Sequence, residues 1–428
     1  MNVCLIGSGG REHALAYRLK QSESLNKLYI VPGNPGTKNL GENLNYDIND
    51  KKGFAGFCKE KGIDLVVIGP EKPLTEGLAD VLREEGIKVF GPDSKAADIE
   101  AHKSFSKGLM KKYSVPTAAY EEFEDTEKEK AIEYIKGQKY PVVIKADGLA
   151  AGKGVLICAD YDEAVDALEE IFTDKVFGSA GSKVLIEEFM TGLEASVFAI
   201  TDGTDFICLP AAQDHKRIGD GDKGKNTGGM GAYAPAPLVT EELQKEIDDK
   251  IICPVLDAMR EEGRTFVGCL YAGLMITGEG AKVVEFNCRF GDPETQAVLP
   301  LVKGDFVKLL YSAANYKLDK NCVSFSSGAS VCVVTASGGY PDSFGKGFVI
   351  EGLDSINDPE IIVYHAGTKE TDGKIVTNGG RVLGITSVIK ENDLKAAKQK
   401  AYAAVSKINY TNIYFRKDIS DKAFDKVS

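Results

Sequence analysis

The sequence lacks long apolar runs and has no closely spaced cysteines or histidines. No apolar run approaches about 18 residues, so neither a membrane-spanning nor a targeting segment is predicted, and we expect a cytoplasmic location without a membrane partner. The nine cysteines are scattered and never form a Cys-x-x-Cys pair, which argues against a disulfide framework and a zinc site. The four histidines are far apart in the chain, which argues against a histidine-rich transition-metal site.

Basic residues are scarcer than acidic ones. The 52 Lys and Arg residues against 64 Asp and Glu residues give a net charge of −12, which argues against a nucleic-acid partner but allows a local basic pocket for a phosphate. The 428 residues, of which 43% are hydrophobic and 27% charged, predict about two to four globular domains.

Residues 1–100 predict an α/β domain with a doubly wound parallel sheet. Short apolar strands alternate with helical stretches such as 12–21 and 75–85, and each strand runs into a glycine or proline loop. The predicted strands are 3–6, 28–31, 65–68 and 89–90. In an open parallel sheet the loops at the carboxyl ends of the strands line one ligand crevice.

The first loop, which begins Gly7-x-Gly9, resembles the start of a dinucleotide-binding fingerprint. Glu12 occupies the position of the third small residue, and no acidic residue ends the second strand, so a nicotinamide cofactor is disfavoured. Two alternatives stay open, a single phosphate bound at the start of the following helix and a glycine turn with no ligand.

Lysines mark a second region that begins near residue 101. Lys145 ends an apolar strand, 141–145, and a glycine loop through Gly154 leads to another strand, 155–158. The loop lacks Walker spacing because Gly154 directly follows Lys153. Such lysines neutralise a polyphosphate as point charges, although a single lysine is more often a solvated surface residue.

Three polar residues alternate along the strand that ends near residue 289. Glu285, Asn287 and Arg289 share one face because alternate residues of a strand point the same way. Carboxylate and amide oxygens without sulfur or imidazole suit Mg²⁺, and an adjacent guanidinium suits a phosphoryl group in transfer. The alternative is a solvated edge strand with an internal salt bridge. Residues 326–428 predict a compact α+β domain in which the glycine-rich segments 337–341 and 377–381 are turns.

Five motifs together resemble one family. They are GSGGREHAL at 7–15, PGNPGT at 32–37, QDHKR at 213–217, NTGGMGAY at 226–233 and EFNCRFGDPE at 285–294. In this order they closely resemble the phosphoribosylamine–glycine ligases, or glycinamide ribonucleotide synthetases, of the ATP-grasp superfamily, and the resemblance spans essentially the whole chain. One departure is Lys225, where the family pattern commonly has proline.

The resemblance implies an activity in de novo purine synthesis. ATP would activate glycine as a glycyl phosphate, and 5-phosphoribosylamine would attack it, giving glycinamide ribonucleotide, ADP and phosphate. The alternative is another ATP-grasp carboxylate-amine ligase or a carboxylase. The implied architecture is an N-terminal pre-ATP-grasp domain (1–100), an ATP-grasp domain (101–325) with a mobile flap at about 120–190, and a C-terminal domain (326–428). We expect a monomer or weak dimer.

The resemblance also implies the site residues. The residues implied to bind ATP are Lys107, Lys145, Gly152, Lys153, Gly154, Glu187, Glu188, Phe189 and Glu194. Glu285 and Asn287 are the implied ligands of Mg²⁺ or Mn²⁺. Arg289, Asp214 and Lys216 are the implied catalytic residues. The implied substrate-binding residues are Gly9, Gly10, Asn34, Pro35, Gly36, Glu71, Arg217, Thr227, Gly228, Gly229 and Asp292.

Overall fold

A parallel sheet carries the first set of site loops. The structure is a computed structural model that describes residues 1–148, 154–176 and 178–424. Five parallel strands lie in the spatial order Glu42–Asn43, Lys27–Pro32, Asn2–Gly7, Leu65–Ile68 and Val89–Phe90. The accompanying helices are Gly10–Lys20, Lys51–Glu60, Glu71–Thr75, Leu78–Glu84 and Ser94–Ala101.

Both faces of this sheet are buried, as a doubly wound fold requires. Cys4 and Ile6 belong to one apolar cluster, whereas Val3 and Leu5 belong to another. The predicted doubly wound parallel sheet is confirmed. The predicted helix 75–85 was wrong in one respect, because Gly77, with a φ of +78°, separates two helices.

The second unit is a small antiparallel sheet with its own core. Its strands lie in the order Tyr120–Glu124, Lys183–Glu188, Val142–Ala146 and Val155–Cys158, and the helices Lys128–Lys136 and Tyr161–Phe172 belong to it. The second helix begins after the N-cap residue Asp160. The Asp160 carboxylate accepts from the Glu163 N–H at 3.0 Å, and the Glu163 carboxylate accepts from the Ala159 N–H at 2.8 Å. The mobility of this unit stays a prediction.

The central unit is a four-stranded antiparallel sheet. Its strands lie in the order Phe206–Cys208, Leu193–Thr201, Gly268–Thr277 and Gly280–Asn287. One continuous helical stretch is formed by Glu241–Ile247, Asp248–Ile252 and Cys253–Glu261. Further elements are the helices Lys103–Lys112, Glu294–Val298, Leu299–Leu301 and Phe306–Ala314 and the paired strands Val302–Gly304 and Val323–Phe325.

The C-terminal sheet includes two strands from the middle of the chain. In spatial order its strands are Gln213–Asp214, Gly231–Ala234, Ala329–Ser337, Arg381–Ile389 and Ile361–His365. Ile413–Tyr414 pairs with the end of the central strand, and the helix Leu394–Val405 contacts the sheet. The predicted domain boundary near residue 325 stays a prediction.

Two hairpins project from this sheet. Arg217–Gly219 pairs with Lys223–Asn226, and Thr368–Thr371 pairs with Lys374–Thr377. Within the described ranges, no helix is both long and apolar enough to cross a membrane.

Candidate active site

A cavity of about 580 Å³ gathers predicted residues from distant parts of the chain. The predicted residues that line it are Glu71, Lys107, Lys145, Gly154, Glu187, Asp214, Lys216, Thr227, Gly228, Glu285, Asn287, Arg289 and Asp292. We call it the main cavity. All three residues predicted as catalytic and both predicted metal ligands are among them. Gly152 and Lys153 lie outside the described residues.

One wall of the main cavity is positively charged. The Lys107 and Lys145 ammonium groups lie 2.9 Å and 3.0 Å from the same Glu187 carboxylate oxygen, and all three side chains are buried. Burial lowers the pKa of Lys107 to about 8, although Glu187 opposes the shift. The other Glu187 oxygen is buried and makes no hydrogen bond with any described residue. Two cations on one carboxylate leave a net positive charge, which suits a polyphosphate.

The strand pairing explains this lysine-glutamate cluster. Val143 lies opposite Glu187 in the antiparallel ladder, so Lys145, two residues along the same face, is a diagonal neighbour of Glu187. The Lys145 ammonium also donates to the Val284 carbonyl oxygen at 3.3 Å. The small sheet and the strand Gly280–Asn287 therefore meet at this wall.

The predicted metal ligands lie next to this wall, on the strand whose Val284 carbonyl accepts from Lys145. Glu285 and Asn287 both line the main cavity, and neither side chain makes a hydrogen bond to another residue in the described ranges. Their free oxygens fit a hard cation that shares its remaining ligands with substrate phosphates. The described residues contain no group of three or more His, Cys, Asp or Glu that could hold a metal by itself. A metal shared with the nucleotide is the arrangement this donor set suits.

Arg289 lies in a network of carboxylates. Its guanidinium is 2.9 Å from the Glu100 carboxylate and 3.3 Å from the Glu71 carboxylate, and Arg11 lies 3.7 Å from Glu71. Burial lowers the pKa of Arg289, but Glu100 and Glu71 outweigh burial and raise it. Arg289 therefore stays cationic at the cavity wall. Glu71, which was predicted to bind phosphoribosylamine, lies here in the main cavity.

One end of the main cavity is acidic. The Lys216 ammonium pairs with Glu194 and lies 3.5 Å from the Asp214 carboxylate. Burial raises the pKa of Asp214 to about 7, with Lys216 opposing and Glu294 adding to the shift. The Tyr271 hydroxyl donates to Glu294 at 3.0 Å. Glu194, which the resemblance implies to bind ATP, pairs with Lys216 in this structure.

A second cavity, of about 830 Å³, separates the N-terminal sheet from the C-terminal domain. Of the predicted residues, Gly9, Asn34, Pro35 and Asp292 line it. The Asn34 amide donates to the Ser8 carbonyl at 2.9 Å and to the His365 carbonyl at 2.8 Å, which ties the two domains together. The lining residues contributed by the C-terminal domain include Tyr340, Thr368, Lys369, Asn378 and Arg381. Sequence reasoning assigned no site residue to this domain and therefore missed them.

Asp292 and Arg381 line both cavities. The Arg381 guanidinium lies 3.1 Å from the Asp292 carboxylate and donates to the Asp292 carbonyl at 2.7 Å and the Gly228 carbonyl at 2.6 Å. Burial raises the pKa of Asp292, but Arg381 and Arg11 outweigh burial and lower it. An ion pair thus marks the wall that the cavities share.

Several predicted residues line neither cavity. A Cβ on Gly36 would lie 2.2 Å from the His13 ring, and one on Gly229 would lie 2.3 Å from Pro293, so packing requires both glycines. Glu188 accepts a hydrogen bond from the Ala119 N–H at 3.0 Å. The predicted residues outside both cavity linings are Gly10, Gly36, Glu188, Phe189, Glu194, Arg217 and Gly229. Their binding roles stay predictions.

Sequence reasoning missed several polar residues of the main cavity, among them Arg11, Lys103, Tyr271 and Glu294. Arg11 and Glu294 stand inside motifs that were recognised, so their position was a usable signal. Lys103 opens a helix near Lys107 and lies on the same cavity. Tyr271 gave no signal, because an aromatic residue in an apolar strand is most simply a core residue.

These features define an ATP-grasp protein. Residues 101–295 match the ATP-grasp (A) domain of phosphoribosylglycinamide synthetase, residues 1–100 match its N domain and residues 330–422 match its C domain. The chain belongs to the phosphoribosylglycinamide synthetase family, as its motifs predicted.

Individual relatives support this family assignment. The chain is 47% identical over 426 residues to phosphoribosylamine–glycine ligase of Leptospira interrogans, and the match covers 99% of each chain. It resembles the crystal structure of phosphoribosylamine–glycine ligase from Thermotoga maritima with a TM-score of 0.84 and 34% identity, covering 98% of this chain and 100% of that one. The biotin carboxylase domain of Hydrogenobacter thermophilus 2-oxoglutarate carboxylase shares the fold, with a TM-score of 0.74 and 17% identity. The match covers 100% of this chain and 99% of that one.

Proposed function

We propose that this chain uses ATP to join glycine to 5-phosphoribosylamine through a glycyl phosphate, and that it acts in the cytoplasm as a monomer or weak dimer. One observation carries the catalytic proposal. The Lys107–Lys145 pair, the Glu285 and Asn287 oxygens, the Arg289 guanidinium, and the Asp214 and Glu294 carboxyl groups all line a single cavity. The family membership supports the choice of substrates.

The nucleotide is proposed to lie along Lys107 and Lys145. Both ammonium groups would donate hydrogen bonds to phosphate oxygens in addition to Glu187, because a polyphosphate carries more negative charge than one carboxylate. Glu285 and Asn287 would hold Mg²⁺ or Mn²⁺, which when bound supplies positive charge that screens the terminal phosphates. Glu187, Glu188 and Phe189 are proposed to line the adenine pocket, and Glu194 is proposed to bind the ribose hydroxyls.

Glycine is proposed to lie between Arg289 and the acidic end. A glycine carboxylate oxygen attacks the terminal phosphorus of ATP, the bond to the bridging oxygen of ADP breaks, and Arg289 stabilises the charge on the moving phosphoryl group. Glu294, held by Tyr271, offers a carboxylate to the glycine ammonium. Exclusion of water from the site during the reaction would protect the acyl phosphate from hydrolysis.

Phosphoribosylamine is proposed to lie across the Asp292–Arg381 wall. Lys38 and Lys369 in the second cavity offer positive charge to its phosphate, while its amine reaches the main cavity. The amine attacks the glycyl carbon, the carbon–oxygen bond to phosphate breaks, and Asp214 accepts the proton that the amine loses. A carboxyl whose pKa is about 7 is suited to this role near neutral pH.

A product assay tests the proposal. Labelled glycine, freshly prepared phosphoribosylamine, ATP and Mg²⁺ should give labelled glycinamide ribonucleotide, and omission of any one should abolish phosphate release. Phosphate release that is unchanged without glycine would refute the acceptor. Release that depends on bicarbonate instead of glycine would support a carboxylase.

A further inference from the structure

A surface hairpin separates two groups of main-cavity residues. The hairpin consists of residues 217–226, with Asp214 and Lys216 before it and Thr227 and Gly228 after it. Thr227 closes its base, because the Thr227 N–H and hydroxyl both donate to the Lys216 carbonyl at 2.8 Å. The position of the hairpin therefore decides where Lys216 and Thr227 lie.

The hairpin has little stability of its own. Its ladder pairs only Arg217 with Asn226 and Gly219 with Lys223, with an irregular register between them. Its tip is exposed and contains Gly221 and Asp222 with φ of +66° and +53°. An isolated two-stranded hairpin is at best marginally stable in water, so external contacts have to fix this one.

Those contacts come from the C-terminal segment 414–422. The Arg416 side chain is fully buried and donates to the Asp222 carboxylate at 2.8 Å and to the Arg217 carbonyl at 3.0 Å. Its remaining donors form a two-pronged contact with Asp418, at 2.8 Å and 2.7 Å. A buried guanidinium is costly unless its donors are satisfied, and here two of its partners belong to the hairpin.

The neighbours of Arg416 reinforce this connection. The Asp418 carboxylate accepts from the Gly221 N–H at 2.7 Å. The Lys422 ammonium lies 2.7 Å from the Asp222 carboxylate and donates to the Asp214 carbonyl at 3.4 Å. We call Arg416, Asp418 and Lys422 the C-terminal clamp.

We propose that the C-terminal clamp is a positioning device for the reaction, which holds the hairpin 217–226 so that Lys216 and Thr227 face the main cavity. Arg416 touches no substrate in this arrangement and acts through the hairpin. The clamp joins the last part of the chain to residues that precede it by nearly 200 positions, as the Arg416–Asp222 contact shows with a separation of 194. The kinetic part of this proposal rests on the proposed function.

Hydrogen exchange on the free, full-length protein tests the clamp without any substrate. In Arg416→Lys and Asp222→Asn, we expect the Gly221 and Thr227 amides to exchange at least about tenfold faster, because a charge-assisted hydrogen bond is lost. The strand Ala329–Ser337 should keep its protection. Asp421→Asn is the matched control, because Asp421 lies in the same part of the chain but pairs with Lys398. If the Arg416 variant does not fold, the exchange rates of Asp222→Asn test the clamp. This variant is expected to fold, because Asp222 lies on the surface hairpin and Asn tolerates its positive φ.

Steady-state kinetics tests the positioning role. We expect both variants to raise KM for glycine about tenfold while KM for ATP stays within about twofold. Arg416→Lys, which keeps the charge, should lie between the parent and Arg416→Gln. Unchanged hydrogen exchange at the hairpin in both variants would overturn the clamp. Faster exchange would also overturn the positioning role if KM for glycine stays the same, or if KM for glycine and KM for ATP rise equally. A parent protein without glycine-dependent turnover would instead refute the proposed function, and exchange would then decide the clamp alone.

Discussion

Arg381 of the C-terminal domain lies 3.1 Å from the Asp292 carboxylate, at the wall between the two cavities. We expect Arg381→Met to raise KM for phosphoribosylamine at least about tenfold, because a charge-assisted pair is lost where that substrate crosses the wall. KM for ATP should change little. Initial rates at varied concentrations of each substrate measure both values, and Arg260→Met, which removes an exposed arginine paired with Asp257, is the control. Equal changes in both KM values would contradict the placement.

Glu285 is the residue on which the metal assignment depends. We expect Glu285→Gln to lower kcat/KM for ATP by about a hundredfold or more and to raise the Mg²⁺ concentration for half-maximal rate, because the ligand loses its charge. Titration of activity with Mg²⁺ measures both. Glu279→Gln is the matched control, since Glu279 lies in the exposed turn just before the same strand and pairs with Lys282. Matching titration curves for the Glu285 variant and the parent would remove Glu285 from the metal site.

Asp214 should give the acidic limb of the pH profile. Its pKa is raised to about 7, so the carboxylate that accepts the proton is present above that pH and is lost as the pH falls through it. We expect kcat to fall about tenfold per pH unit below this value. Asp214→Asn should abolish this limb and leave a low rate that hardly depends on pH. A limb that persists in Asp214→Asn belongs to another group.

Lys107 should give the alkaline limb. Burial lowers its pKa to about 8, so the ammonium that faces the polyphosphate is present below that pH and is lost as the pH rises through it. We expect kcat/KM for ATP to decline above about pH 8, and Lys107→Arg to move that decline to higher pH because arginine keeps its proton. Rates from pH 6 to 10, about two units on either side of this value, test the assignment. A decline at the same pH in both proteins would contradict it.

The same shift has a consequence for stability. The unfolded lysine keeps its proton up to about pH 10.4, whereas folded Lys107 releases it near 8, so burial of the charged form costs stability below pH 8 and this cost disappears as the pH rises. Lys107→Met should therefore lose less stability at pH 7 than at pH 10, relative to the parent. Denaturant unfolding at the two pH values measures the difference.

The sequence by itself determined the local elements and the residues within the motifs. Apolar runs ended by glycine predicted the strands of the N-terminal sheet, and alternation along a strand placed Glu285 and Asn287 on one cavity. Arg289 lines the same cavity, but the prediction that it belongs to this strand was wrong, because the strand ends at Asn287. Such signals are short-range, because side-chain direction in a strand repeats every two residues and helix caps act within one turn.

Tertiary structure decided which distant residues meet. Residues 213–234 supply two strands to the C-terminal sheet. Glu194 forms an ion pair with Lys216, and Arg381 contacts Asp292, which lies 89 positions earlier in the chain. No periodic pattern connects such positions. Their contacts exist because buried charges require partners, and only packing of the sheets against one another brings those partners within reach.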